Sequence, residues 1–103
     1  MKTELQKMRS EELYSFADTE VSASVFHAQK LCARLRMISI HDEGYREVIE
    51  ELIPGIPENS IICPPFHCDH GHGIILGENV FIKHNDNMLD SDYIRIGKHT
   101  RVG

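Results

Sequence analysis

Five cysteine and histidine residues lie within ten positions of one another, and their side chains could bind a metal ion. They are Cys63, His67, Cys68, His70 and His72. Thiolate sulfur and imidazole nitrogen are the ligands that zinc prefers. The spacing, however, is not the paired C-x-x-C of zinc motifs, and in an extended segment His70 and His72 share a face that His67 does not. We therefore predict no metal site and keep a Cys/His metal-binding module as the less favoured alternative.

The first half of the chain carries the signals of helices. Apolar residues recur at spacings of three and four, which places them on one face of a helix. The predicted helices begin after Thr3, which forms a capping-box pattern with Gln6, at Asp18 or Thr19, and at about Asp42. Pro54 and Gly55 end the third helix, because proline cannot donate a hydrogen bond and glycine releases the backbone. We predict a helical cap over residues 1–55.

A period of six residues replaces the helical spacing in the second half. Two apolar ladders show it, with a slip of two residues between them: Ile56, Ile62, Cys68 and Ile74, then Leu76, Ile82, Met88 and Ile94. In a parallel β-helix of triangular cross-section each side takes about six residues, so that one apolar side chain per side points inward. We predict that residues 56–103 form the first coils of such a β-helix, each of about 18 residues. A hairpin-rich all-β domain with chance spacing is the alternative.

The net charge, the apolar stretches and the cysteines of the chain bear on its partners and its location. Sixteen acidic and 11 basic residues give a formal net charge of −5, which disfavours a nucleic-acid partner because nucleic-acid binding requires a clustered basic surface. No stretch approaches the roughly 18 apolar residues of a membrane span, and the N-terminus has no apolar signal core. Three cysteines without an export signal predict reduced thiols and a cytoplasmic location.

Motifs along the whole chain are shared with one enzyme family. They are Glu11-Glu12-Leu13-Tyr14, Tyr45-Arg46-Glu47, Pro64-Pro65-Phe66-His67-Cys68-Asp69-His70-Gly71, Ile75-Leu76-Gly77-Glu78-Asn79-Val80-Phe81, and Met88-Leu89-Asp90 leading into Ile94-Arg95-Ile96-Gly97. The chain thereby resembles the maltose and galactoside O-acetyltransferases, which are hexapeptide-repeat enzymes. The resemblance implies a mainly β fold with an α-helical cap and an incomplete left-handed β-helix. It also implies acetyl-CoA as co-substrate, a sugar or other hydroxyl acceptor, and a homo-oligomer, usually a homotrimer.

The same resemblance implies which parts of the chemistry this chain holds. In the family a histidine acts as general base, and it lies shortly beyond the position of Gly103, as do the coils that bind acetyl-CoA. We therefore expect no catalytic residue, no bound cofactor and no acetyl transfer from the 103-residue chain itself. The alternative is a non-catalytic remnant or self-association module, whose open coil, with Ile96 and Val102 at its edge, pairs with another copy.

Three polar residues match the acceptor side of the family. They are Asp69, Asn85 and Asp90. Each of them could equally be a corner residue that caps the backbone of a tight turn. The chain departs from the family at Lys83, where relatives typically have asparagine, at His84, where an aromatic is usual, and at Ser91, where some relatives have a second aspartate. Lysine cannot accept a hydrogen bond from a sugar hydroxyl, so Lys83 puts acceptor binding in question.

Overall fold

A computed structural model describes residues 1–15 and 18–103. The helices are α1 (Glu4–Arg9), α2 (Thr19–Leu35) and α3 (Tyr45–Leu52). The strands are β1 (Ile61–Ile62), β2 (Phe66–Cys68), β3 (Ile74–Leu76), β4 (Phe81–Ile82), β5 (Asp86–Met88), β6 (Ile94–Ile96) and β7 (Arg101–Val102). None of the helices in these ranges has the length and apolarity that a membrane crossing requires.

The strands form three short parallel sheets, ordered β1-β4-β7, β2-β5 and β3-β6. Ile61 pairs with Phe81, and Phe81 pairs with Arg101, so the chain returns to the same sheet after 20 residues. The predicted coil of about 18 residues is therefore too short. The two extra residues lie in the turn between β2 and β3, which has five residues (69–73), whereas the turns before β2 and after β3 have three (63–65) and four (77–80). The slip between the two apolar ladders is thus contained within this turn, and both ends of β3 are buried as both ends of β2 are.

The interior of the coil is apolar. Leu76, Ile82 and Met88 lie on strands of three different sheets and are 7, 0 and 9% exposed, as the six-residue spacing predicts. Residues of α2 and α3 belong to the same buried cluster, among them Leu35 and Ile49. The helices therefore share one hydrophobic core with the strands, and the division of the chain at residue 55 stays a prediction.

The three helices begin largely where the capping signals place them. Thr3 and Gln6 form a complete capping box, and the Asp18 carboxylate caps α2. The third helix begins at Tyr45 rather than at about Asp42. Asp42 belongs to the preceding turn, where its carboxylate accepts from the Ser39 amide at 2.7 Å and its carbonyl accepts from the Tyr45 amide at 3.1 Å.

Helix α3 closes the outer edge of the first strand. The Tyr45 hydroxyl donates to the Ile62 carbonyl and accepts from the Ile62 amide. The Arg46 guanidinium donates to the carbonyls of Ile56, Pro57 and Ser60. An unpaired strand edge can pair with another chain and cause aggregation. These contacts satisfy the backbone groups at the start of the coil and so prevent such pairing there.

Candidate functional site

A turn at residues 69–73 connects β2 to β3 and is fixed by one buried carboxylate. Asp90 is 0% exposed, and its oxygens accept from the His70 amide at 2.8 Å and from the Gly73 amide at 2.9 Å. Gly71, in the middle of the turn, has a φ of +88°, and a Cβ there would collide with the Leu52 carbonyl. The Asp90 carboxylate thus fixes the backbone of the 69–73 turn, and the centre of the turn requires glycine.

Arg9 of helix α1 packs against this carboxylate from the side. Its guanidinium lies 3.8 Å from Asp90 Oδ2 and donates to the backbone carbonyls of Asp90 and Ser91. It also contacts His72 Nδ1 at 2.8 Å. The Arg9 side chain is 9% exposed, and a Cβ on Gly73 would collide with it. The absence of a side chain at Gly73 therefore leaves the space in which the Arg9 guanidinium lies.

Ser24 of helix α2 joins the two histidines of the turn. Its Oγ lies 2.6 Å from His70 Nδ1 and 3.0 Å from His72 Nε2. Burial lowers the pKa of both histidines, and the nearby Arg9 charge lowers each pKa further, while Asp90 opposes the shift. His70 is 3% exposed, so its charged form is poorly solvated, whereas His72 is exposed and is held towards the neutral form by partial desolvation together with the Arg9 charge.

The structure places the three predicted acceptor contacts at two ends of one sheet. Asp69 is half-buried at the start of the 69–73 turn, beside Asp90. Asn85 is exposed at the other end of the β2-β5 sheet, where its φ is +67° and its amide donates to the Pro65 carbonyl at 2.7 Å. At a strand rise of roughly 3.3 Å per residue, Asn85 lies about 13 Å from the level of Asp69. Asp69 and Asp90 are thus brought together, and Asn85 is apart from them.

The three residues at which the chain departs from the family lie at the same two ends of the sheet as the predicted acceptor contacts. Lys83 and His84 are exposed and precede Asn85, and the Lys83 amide continues the ladder by donating to the Val102 carbonyl at 2.8 Å. Ser91 lies beside Asp90, and its carbonyl accepts from Arg9 at 3.0 Å. The polar surface near Asp69 is therefore built by Arg9 and the turn rather than by Lys83.

The Cys/His cluster is dispersed among different environments. His67 is exposed, whereas Cys68 is buried with its Sγ 4.0 Å from Cys32 Sγ. The hydrogen bond between these two thiols lowers the pKa of Cys32 to about 7 and raises the pKa of Cys68, and burial raises the pKa of Cys63. Within residues 1–15 and 18–103, no group of three or more His, Cys, Asp or Glu side chains could hold a metal ion.

A cleft with a volume of about 400 Å³ opens between α1 and the 69–73 turn. It is lined by Leu5, Gln6, Arg9, Ser10, His72 and Tyr93. The Tyr93 ring lies between two guanidinium groups, 4.8 Å from Arg9 and 5.2 Å from Arg95. Hydroxyl, amide and guanidinium groups around one aromatic ring suit a small polar ligand.

Sequence reasoning missed two residues of this site. Arg9 lies 81 residues before its hydrogen-bond partner Asp90, and Ser24 lies 46 residues before His70. Neither residue stands in a recognisable motif, and both occupy helices that the sequence predicts only as a cap. No local signal in the sequence indicates that these helices contact the turn.

Comparison with solved structures finds close matches over the whole chain. One is a hexapeptide-repeat-containing acetyltransferase from Vibrio cholerae in complex with acetyl-CoA, with 32% identity and a TM-score of 0.80 over 99% of this chain and 55% of that one. Another is a maltose O-acetyltransferase from Clostridium difficile, with 25% identity and a TM-score of 0.88 over 97% of this chain and 54% of that one. The fold, parallel coils with a helical cap, is that of the hexapeptide-repeat acetyltransferases.

The curated relatives include a putative acetyltransferase from Staphylococcus aureus, with 31% identity over 94 residues, which are 89% of this chain and 47% of the relative. Nodulation protein L of Rhizobium meliloti is 29% identical over 103 residues, which are 99% of this chain and 56% of the relative. No family model matches the chain. The homologues and structural neighbours are acetyltransferases of the hexapeptide-repeat, maltose/galactoside type, and the resemblance predicted from the motifs is confirmed. The chain spans about half the length of the relatives it matches.

Proposed function

We propose that this chain forms the N-terminal, acceptor-side part of an acetyl-CoA-dependent sugar O-acetyltransferase, with coils of left-handed sense. The observation that carries the proposal is the match over 99% of the chain to an acetyltransferase crystallised with acetyl-CoA. Acetyl-CoA is the co-substrate of the whole enzyme, and residues 1–103 supply acceptor contacts and subunit packing. By the family resemblance the enzyme is a cytoplasmic homo-oligomer, a trimer.

Within the acceptor side, the three residues have different roles. Asp69 is half-buried beside the turn, and its carboxylate is an acceptor for sugar hydroxyl groups. Asp90 is fully buried with both oxygens occupied by backbone amides, so it acts on the acceptor through the position of the turn. Asn85 contacts the acceptor only if the acceptor extends along the β2-β5 sheet, as an oligosaccharide does and a single sugar ring does not.

The histidines at this site do not serve as the general base. A general base needs a free nitrogen lone pair within hydrogen-bond distance of the acceptor hydroxyl. His72 is contacted at both ring nitrogens, by Arg9 at Nδ1 and by Ser24 at Nε2. His70 is contacted by Ser24 at Nδ1 and is only 3% exposed, so an acceptor hydroxyl has no access to its Nε2. We therefore expect the 103-residue polypeptide to release no thiol from acetyl-CoA in the presence of a sugar.

Saturation-transfer NMR with maltose and with methyl β-galactoside tests the acceptor role. We expect transfer to at least one of these sugars, and its loss in Asp69→Asn. Glu47→Gln, which removes an exposed carboxylate from helix α3, is the matched control and should bind normally. Equal saturation transfer in Asp69→Asn and the parent chain would exclude Asp69 as an acceptor contact.

A second pair of variants tests Asn85 with an oligosaccharide such as maltotriose. Asn85→Gly removes the side-chain amide, and glycine keeps the backbone at φ +67°. Asn79→Gly is the control, because it makes the same change at another corner, where φ is +55°. Weaker binding in the Asn85 variant alone supports its contact with an extended acceptor. In parallel, a thiol-release assay with acetyl-CoA checks the expected inactivity, and turnover above background would contradict it.

A further inference from the structure

The contact between Arg9 and His72 fixes the proton on the His72 ring. A guanidinium group is a donor at every accessible pH and has no acceptor atom. His72 Nδ1, at 2.8 Å from Arg9, must therefore be the acceptor and carry no proton. A neutral imidazole then carries its proton on Nε2, which faces Ser24 Oγ at 3.0 Å. The contacts around His72 thus select one tautomer, and His72 donates to Ser24.

The same reasoning passes through Ser24 to His70. A serine hydroxyl has one proton and can accept as well as donate. Since Ser24 Oγ accepts from His72, its proton is available for His70 Nδ1 at 2.6 Å. His70 then also carries its proton on Nε2. The four side chains form a hydrogen-bond chain with one direction, from Arg9 to His72 to Ser24 to His70, which we name the Arg9–His70 chain.

We propose that Ser24 and His72 are positioning residues for Asp69, because the Arg9–His70 chain ties helices α1 and α2 to the side-chain face of the 69–73 turn. The role assigned to Asp69 rests on the proposed function. Asp90 holds the backbone of the same turn through the amides of His70 and Gly73. The turn is therefore fixed through its backbone by Asp90 and through its side chains by the Arg9–His70 chain. Because Asp69 stands at the start of the turn, its position depends on both attachments.

The Arg9–His70 chain requires both imidazoles to be neutral. A proton on His72 Nδ1 would face the Arg9 donor and break the first link. The charged and titratable groups that face the two rings are Arg9 from α1, His27 from α2, and Asp69 and Asp90 from the coil. Arg9 and burial favour the neutral rings, whereas the two carboxylates favour the charged ones. Acid therefore releases the side-chain attachment while the Asp90 attachment remains.

Long-range ¹H–¹⁵N NMR of the uniformly labelled chain at pH 7.5 tests the direction of the hydrogen bonds. We expect both His70 and His72 to show the Nε2–H tautomer. His41, which is exposed in the turn before α3, serves as the reference for an imidazole that exchanges between tautomers. A proton on Nδ1 of either turn histidine at this pH would overturn the Arg9–His70 chain, whether or not a sugar binds.

Amide hydrogen exchange at His70 and Gly73 tests the positioning role without any acceptor. We expect Ser24→Ala to speed exchange of both amides about tenfold, the effect of losing one or two hydrogen bonds. Ser24→Thr restores the hydroxyl and should return exchange to within about twofold of the parent. His41→Gln, which removes an exposed histidine from the turn before α3, is the control and should leave both rates unchanged. Unchanged exchange in Ser24→Ala would overturn the proposal, and failure of sugar binding with accelerated exchange would count against the proposed function alone.

Discussion

The Tyr45 hydroxyl makes two hydrogen bonds with the backbone of one residue, Ile62. It donates to the Ile62 carbonyl at 2.7 Å and accepts from the Ile62 amide at 2.9 Å. These are the groups that a neighbouring strand would satisfy on the outer edge of β1. Tyr45 is 5% exposed and Ile62 is 0% exposed, so water is not an alternative partner.

Replacement of Tyr45 by phenylalanine leaves both backbone groups of Ile62 buried and unpaired. Each unsatisfied buried group costs about 1–3 kcal/mol, so we expect Tyr45→Phe to lower the free energy of unfolding by about 2–6 kcal/mol. Urea denaturation followed by circular dichroism measures the loss. Tyr93→Phe keeps the ring between the two guanidinium groups and should change stability by less than about 0.5 kcal/mol. Equal stabilities for the two variants would contradict the edge-closing role of Tyr45.

Ser60 makes an equivalent link between the first and second coils. It is 0% exposed, donates to the Gly77 carbonyl at 2.7 Å and accepts from the Val80 amide at 3.0 Å. We expect Ser60→Ala to lower the free energy of unfolding by about 1–3 kcal/mol, because the Val80 amide is left buried and unpaired. Thr100→Ala serves as the control, since the exposed hydroxyl bond of Thr100 to the Gly97 carbonyl can be replaced by water. A larger loss in the Thr100 variant would refute this assignment.

The six-residue ladder predicts the strands because it depends on local spacing. Every coil position that the ladder marks as inward on β1 to β5 is buried, from Ile62 to Met88. The coil length was predicted wrongly for a local reason too. The sequence shows a slip of two residues between Ile74 and Leu76 but does not say whether a corner or a strand absorbs it. The five-residue turn between β2 and β3 answers that question, because β3 itself has the same length and the same burial pattern as β2.

The polar site was beyond the reach of sequence periodicity. Asp90 was predicted either as an acceptor contact or as a turn cap, and its two amide partners lie 17 and 20 residues away on the previous coil. Those contacts follow from the 20-residue coil length, which was predicted as about 18. Arg9 and Ser24 reach the site from helices whose docking onto the coil has no sequence pattern. The acceptor roles of Asp69, Asn85 and Asp90 remain predictions.

The two histidines of the 69–73 turn predict how stability depends on pH. Their pKa values are lowered in the folded chain, mainly by burial, from an ordinary value of about 6.5. Between the folded and the ordinary pKa the unfolded chain binds more protons, so the free energy of unfolding falls as the pH drops below about 6.5. Above that pH, the contribution of these two groups to the free energy of unfolding is fully present.

Urea denaturation at pH 7.5, 6.5 and 5.5 measures this dependence. We expect the midpoint to fall between pH 6.5 and 5.5, and the fall to be smaller in the double variant His70→Gln/His72→Gln. His41→Gln, which removes an exposed histidine from the turn before α3, should keep the full dependence. An equal fall in the double variant and the parent chain would show that other groups, and not His70 and His72, cause the acid sensitivity.

The three cysteines differ in their exposure to solvent and in the pKa of their thiols. Cys32 has its pKa lowered to about 7 but is 3% exposed, whereas Cys63 is half-buried with its pKa raised. Alkylation needs both a thiolate and access to it, and a buried thiolate reacts only when the core opens.

Native-state alkylation therefore distinguishes access from acidity. With iodoacetamide at pH 7.5, we expect Cys63 to react first, and Cys32 and Cys68 to react at least about tenfold more slowly. Peptide mass spectrometry gives the rate at each site, and labelling in urea should bring the three rates together. Cys68→Ala provides the control, because it removes the thiol that contacts Cys32 Sγ without changing Cys63. Native Cys32 reacting as fast as Cys63 would mean that the helices leave the coil often enough to expose the core, contrary to the shared packing of α2 and β2.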